Sequence, residues 1–205
     1  MKNLLFSIIL ILNTVSLYSQ KTAEDYYKSG IEKYDQGDYK GAIKDYYKAI
    51  ELNPEYVEAY YSRGVSRFYL VDYKGAINDY SKAIELNPDD AESWYSRGVA
   101  KDHLKKYKEA IEDYNKTIEL KPYDSDTYYN RAVAKNSLKD YKGAIQDYDL
   151  TIELRPDDAW AHNNRGTAKY LSGDKDGACE DWNKAGDFGH EKAYDNVKKY
   201  CKSRE

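Results

Sequence analysis

Apolar positions in this chain recur with the spacing of one helical face, and that pattern itself recurs. In the stretch "YKGAIKDYYKAIEL", Tyr39, Ala42, Ile43, Tyr46, Ala49 and Ile50 fall at i, i+3, i+4 and i+7, which marks one buried stripe on an α-helix. Asp38 stands just before the stripe as an N-cap, where its carboxylate can take a free amide N–H. Pro54 ends the helix, because proline lacks a donor and restricts the residue before it. Upstream, residues 23–35 predict a partner helix, with Gly37 and Asp38 in the turn.

Nearly the same words return from Asp72, Lys106, Asp140 and Asp174, each copy 34 residues after the last. Aligned on that interval, the four prolines share one column (Pro54, Pro88, Pro122, Pro156), and small residues share another (Gly30, Gly64, Gly98, Ala132, Gly166). A third column holds only alanine (Ala42, Ala76, Ala110, Ala144, Ala178), and a fourth is aromatic (Tyr26, Tyr60, Trp94, Tyr128) until His162. A position without bulk lets two helices approach closely, so that a partner's aromatic fills the remaining space. One such unit cannot bury its apolar face alone, but stacked neighbours can.

In these columns the chain resembles the tetratricopeptide repeat (TPR) family, with aromatic, small residue, Tyr-x-x-Ala, aromatic, Ala and Pro in order. The resemblance covers five units, at 23–56, 57–90, 91–124, 125–158 and 159–192. It implies an all-α, right-handed TPR superhelix of five helical hairpins with a concave groove, and a binding scaffold rather than a catalyst. The fifth unit departs from the pattern, with Lys175 for Tyr, Gly186 for Ile and His190 for Pro. The stretch that follows places Ala193, Val197 and Tyr200 on one side and lysines on the other. It is expected to be a capping helix that closes the core, with 193–205 as its remainder and tail.

Composition narrows the function. Charged residues make up 33% of the chain, but the net charge is only −4, and the signs are interspersed. A nucleic-acid binder would carry a basic face, so none is expected as a partner. The first residues stand apart: Lys2, then the apolar run "LLFSIILIL", then small and polar residues up to Gln20. This is the layout of a secretory signal peptide over 1–19. It is too short to span a bilayer, which needs roughly 20 apolar residues. The expected product is exported to the periplasm or outside the cell, with no membrane insertion after cleavage.

Three sets of residues invite a chemical reading. Cys179 and Cys201 come opposite one another if their helices are antiparallel, and an oxidising compartment favours a disulfide between them. His190 alone cannot complete a metal site with them, so no metal or cofactor is expected. Next, Arg63, Arg97, Arg131 and Arg165 share a column, as do Asp45, Asp79, Asp113, Asp147 and Asp181. Counting allows pairing within a unit or between units. The between-unit register, with Asp79 on Arg97, is favoured because it leaves the first unit, which has Ser29 in place of Arg, with no unmatched Asp.

The third set follows from the resemblance, which directs certain first-helix positions into the groove. They read Tyr27, Tyr61, Tyr95, Tyr129 and Asn163, then Ile31, Val65, Val99, Val133 and Thr167, then Tyr34, Phe68, Asp102, Asn136 and Tyr170. The expected binding surface comprises this tyrosine ladder, the valines, Phe68, Asn130 and Asn163, since tyrosine offers flat area and a hydroxyl at low entropy cost. Family members that grip a C-terminal carboxylate need basic residues where this chain has Glu58, Glu92 and Asp126. Such a clamp is therefore not expected, and a ligand with basic or polar groups and some apolar side chains fits better. The chain has no phosphate loop, no metal-spaced His/Cys set and no HExxH. The reading is a non-enzymatic scaffold for a protein or peptide, serving assembly or organisation of a cell envelope. The alternative is a glycan-binding module that stacks sugars on the ladder, and an enzyme is a remote third. Self-association through the repeat ends stays open.

Overall fold

A computed structural model describes residues 21–201. The expected leader lies outside the described residues. Among those described there are eleven α-helices and no strand. They run α1 Ala23–Asp35, α2 Tyr39–Leu52, α3 Val57–Tyr69, α4 Tyr73–Leu86, α5 Ala91–His103, α6 Tyr107–Leu120, α7 Ser125–Ser137, α8 Tyr141–Leu154, α9 Ala159–Ser172, α10 Lys175–Asp187 and α11 Ala193–Tyr200. Consecutive helices pack as antiparallel pairs, and each pair leans on the next. The first helices of neighbouring hairpins (α1, α3, α5, α7, α9) also touch one another. That places them on the inner side of the curve.

The caps follow the sequence closely. Asp38, Asp72, Asp140 and Asp174 each accept the backbone N–H three residues on, from Gly41, Gly75, Gly143 and Gly177, at 2.9–3.0 Å. The glycine there has a steric cause: a Cβ on Gly41 would lie 2.0 Å from the Asp38 carboxylate. In the third hairpin Lys106 cannot accept, no side chain caps the helix, and Glu109 occupies the glycine position. Inside each hairpin the expected crossing is equally tight. A Cβ on Gly30 would come within 2.4 Å of the Tyr46 ring, and one on Gly64 within 2.7 Å of Tyr80. Tyr46, Tyr80, Tyr114, Tyr148 and Trp182 are thereby buried, and the alanine column beside them is wholly inaccessible.

The Asp–Arg register is the opposite of the one expected. Each Asp pairs within its own hairpin: Arg63 with Asp79 at 2.6 Å, Arg97 with Asp113 at 2.7 Å, Arg131 with Asp147 at 2.7 Å, and Arg165 with Asp181 at 2.6 Å. Arg63 and Asp79 immediately precede Gly64 and Tyr80, the pair at the closest crossing. There the guanidinium can meet both carboxylate oxygens, through Nε and Nη2. A second cation one turn along the same first helix completes each clamp, namely Arg67, Lys101, Lys135 and Lys169. Asp45 is not stranded, since Ser29 donates to it at 2.6 Å and Lys33 pairs with it at 2.6 Å. Only the remaining guanidinium nitrogen reaches the previous hairpin, to Ser81, Asn115 and Asp149.

At the C-terminal end, α11 starts 34 residues after α9. It occupies the slot of a sixth first helix but is only eight residues long. A Cβ on Gly186 would come within 2.3 Å of the Tyr194 ring, which explains glycine where the other units have isoleucine. A disulfide joins Cys179 to Cys201, with Cα atoms 5.8 Å apart. Cys201 sits just past α11 rather than inside it. Val197 and Tyr200 pack with Tyr170 against Trp182 and Ala185.

Candidate binding groove

The inner wall is built from first-helix side chains, and each ladder tyrosine is half-buried against the aromatic that fills its own crossing. Tyr27 lies 5.7 Å from Tyr46, Tyr61 5.7 Å from Tyr80, Tyr95 6.1 Å from Tyr114 and Tyr129 5.8 Å from Tyr148, all tilted or edge-on. Every ladder hydroxyl reaches one residue column in the next hairpin. Tyr27 meets Ser62 and Tyr61 meets Ser96, both at 3.4 Å. The amide of Asn130 donates to Tyr95 Oη and that of Asn164 to Tyr129 Oη, both at 2.8 Å. The ladder therefore also ties neighbouring repeats together. Burial pushes the Tyr95 phenol up to about 12, with Asp126 and Asp124 adding to it. Burial likewise raises Tyr61 and Tyr129. These hydroxyls stay neutral donors and acceptors at physiological pH.

The wall divides into two unlike parts. In the first half, Ile31, Tyr34, Asp35, Tyr46, Tyr61, Ser62 and Val65 line a recess of about 340 Å³. Beside it, Tyr61, Val65, Phe68, Tyr69, Tyr95 and Val99 line a second recess of about 170 Å³. Tyr39 stacks on Tyr69 at 5.0 Å, and Tyr73 on His103 at 4.6 Å, so the rim of this half is aromatic. In the second half, Tyr129 shares a recess with Asp126, Arg155, Asp158 and Trp160. There Val133 packs against the core, as Val65 and Val99 do in the first half, and Asn163 donates to Asn164.

The structure thus brings Tyr61, Tyr95, Val65, Val99 and Phe68 together. It sets Tyr129, Val133 and Asn163 apart from them, and turns Asn130 into a ladder brace. Sequence reading named Asn130 but passed over Ser62 and Ser96 in the same column, as well as Tyr69 and Trp160, which is 59% exposed. All lie in columns visible at the 34-residue interval. Trp160 stands where the earlier units have Glu or Asp, and its ring packs 4.3 Å from His190.

The acidic edge is partly neutralised. Glu24 accepts from Tyr56 and pairs with Lys28, Glu92 pairs with Lys121, and Asp126 pairs with Arg155 at 2.7 Å. Asp102 is different. One oxygen accepts from Tyr114 at 2.7 Å, while the other is buried with no hydrogen-bond partner among the described residues. Burial pushes its carboxyl up to about 6, against the opposing pull of the Tyr114 bond. No group of side chains fit to hold a metal ion occurs among the described residues, and no described helix is long and apolar enough to cross a membrane.

Sequence models of the tetratricopeptide repeat match residues 30–71, 67–101, 91–124 and 134–173. The chain belongs to the tetratricopeptide repeat family. Among solved structures, it is similar to two described as MamA: one 27% identical with a TM-score of 0.79, covering 84% of this chain and 94% of that one. The other is 28% identical with a TM-score of 0.77, covering 80% and 96%. It also shares its fold with YrrB, described as a TPR protein with an unusual peptide-binding site, at 22% identity and a TM-score of 0.78 over 86% of this chain and 92% of that one. No curated protein matches the sequence significantly. The superhelix expected of a TPR chain is the observed architecture.

Proposed function

We propose that this TPR protein is an exported, non-enzymatic scaffold that binds a protein or peptide along its inner wall and serves organisation of the cell envelope. The observation that carries the reading is the pair of adjoining recesses between Ile31 and Val99, open to solvent and lined by tyrosine, valine and phenylalanine. Such surfaces suit extended peptides, because rigid aromatics supply contact area at low entropy cost. The TPR fold is itself an interaction scaffold, and YrrB is described as peptide-binding. The disulfide between Cys179 and Cys201 favours an oxidising compartment, in line with the leader read over 1–19. Stacking of sugars on the ladder has less support, because the rings are tilted into the core and their hydroxyls are engaged.

The test is affinity capture from envelope extract with the wild type and with Tyr61→Ala/Tyr95→Ala. A stoichiometric protein partner, lost in the variant while circular dichroism and the unfolding transition stay cooperative, supports the groove. Capture that survives the double substitution moves the site elsewhere. Retention on insoluble cell wall in place of a protein partner favours the glycan alternative.

A further inference from the structure

The groove's first half is both apolar and unevenly charged. The inner-wall columns carry Glu24, Asp35, Glu58, Glu92, Asp102 and Asp126 against a single cation, Lys28. The fold sorts these acids. Glu24, Glu92 and Asp126 are matched by Lys28, Lys121 and Arg155. Asp35, Glu58 and Asp102 have no ion pair among the described residues. All three sit in the first three hairpins. Asp35 lines the larger recess. Glu58 lines the adjoining cleft with Tyr27, Tyr61, Asp90 and Glu92. Asp102 follows Val99 by one turn, in the column that presents Tyr34 and Phe68 to the recesses in the earlier hairpins.

The rim next to them is also unusual. Val71 has φ 63° and is 66% exposed, two residues beyond the exposed Tyr69. Other hairpins place Gly37, Lys105, Lys139 or Gly173 in this left-handed position. A β-branched residue is disfavoured there, and at this exposure little packing offsets it. An apolar lip is thus held out beside the recesses, at a conformational cost.

We infer that the occupant of this half is a cationic extended peptide. An apolar side chain enters the recess formed by Ile31, Tyr34, Tyr61 and Val65, flanking lysines or arginines face Asp35 and Glu58, and the Asp102 charge behind the wall adds to the field. The inference rests on the groove reading above and adds the sign of the ligand's charge. Unmatched carboxylates in a half-buried trough attract cations and repel acidic segments more strongly than they would in open water. An acidic C-terminal tail meets no unpaired cation in these columns among the described residues, since Lys28 pairs with Glu24.

The test uses the whole protein and three fluorescein-labelled peptides that alternate leucine or tyrosine with lysine, serine or glutamate, read by anisotropy. The lysine peptide is expected to bind about tenfold or more tighter than the serine peptide, with no binding by the glutamate peptide. Asp35→Asn/Glu58→Gln/Asp102→Asn removes that preference. A control of equal charge change on the second helices, Glu85→Gln/Glu119→Gln/Glu153→Gln, leaves it within about twofold. Equal loss in the control, equal binding of the glutamate peptide or no binding of the lysine peptide overturns the inference. If the lysine peptide fails while capture of a partner still depends on Tyr61 and Tyr95, the charge assignment falls and the groove stands. If capture ignores Tyr61 and Tyr95 as well, both fall.

Discussion

The two ends of the superhelix solve one problem by different means. Each internal hairpin buries part of its first helix against the hairpin before it. Ala59 and Ala161 are fully buried in this way, as are Ser93 and Thr127 in the same column and Ser66, Ala100, Ala134 and Ala168 in another. In the first hairpin these columns read Asp25 and Glu32, both exposed. The N-terminal end is therefore finished by substitution, with charges where a neighbour would otherwise stack. The C-terminal end keeps its apolar face, with Trp182 and Ala185 buried, and covers it with a shortened helix pinned by a disulfide. A repeat array must hide its terminal faces from water and from other copies. Here one face is polar and the other carries a lid.

This contrast can be attacked from several sides. The largest effect is expected between an internal clamp and the terminal one. Asp113→Ala leaves the partly buried Arg97 and Lys101 without their carboxylate and costs about 3–5 kcal/mol. Asp45→Ala frees only Ser29 and the more exposed Lys33 and costs about 1 kcal/mol. Urea unfolding of the two variants measures both, and equal losses would erase the distinction between inner and outer hairpins.

Reducing the disulfide is expected to cost about 3 kcal/mol, since its loop spans 22 residues. The loss should be the same on adding reductant to the wild type as in Cys179→Ser/Cys201→Ser. Titration of the unfolded, unreduced protein should find no free thiol; two reactive thiols would remove the lid's pin.

A smaller effect, of opposite sign, is expected at Asp102. Its carboxyl is raised to about 6 in the fold, above the ordinary value near 3.9. The native state thus favours the protonated form: the associated stability is complete below about pH 4 and is lost as pH rises through about 6. Asp102→Asn should stabilise the protein by about 1–2 kcal/mol at pH 7, after allowance for solvent screening, and by little at pH 4. No difference between the two pH values would remove the unmatched carboxylate from the groove.

The smallest change in stability belongs to the polar end. Asp25→Asn/Glu32→Ala, which keeps an acceptor for Thr22 in the capping box, should alter unfolding by about 1 kcal/mol or less. It should nonetheless raise the apparent mass in sedimentation velocity, as copies begin to stack. A variant that stays monomeric would mean that the charges are not what closes this face.

Much of this was legible in the 34-residue interval. Helix limits, capping aspartates, crossing glycines and the terminal helix follow from local chemistry that recurs in every copy. The ladder was legible as a column, but not its bracing, because a hydroxyl's partner lies 35 residues away, on a helix whose distance only packing sets. The Asp–Arg register was misread for a related reason. Both registers place the partners at comparable sequence distances from a turn. The winner is the one beside the Gly64–Tyr80 crossing, where two helices come close enough for a two-point contact.

The sequence by itself determined the number, length and order of the hairpins, since these depend on periodicity, caps and breakers within a few residues of each other. It also determined that both ends differ from the middle. Tertiary structure alone showed which charges meet. Glu92 pairs with Lys121 and Asp126 with Arg155, each 29 residues on in the same hairpin, and at that spacing Glu58 has only Asn87. Which column faces which acid depends on where the end of the second helix arrives beside the start of the first, and no local rule encodes it.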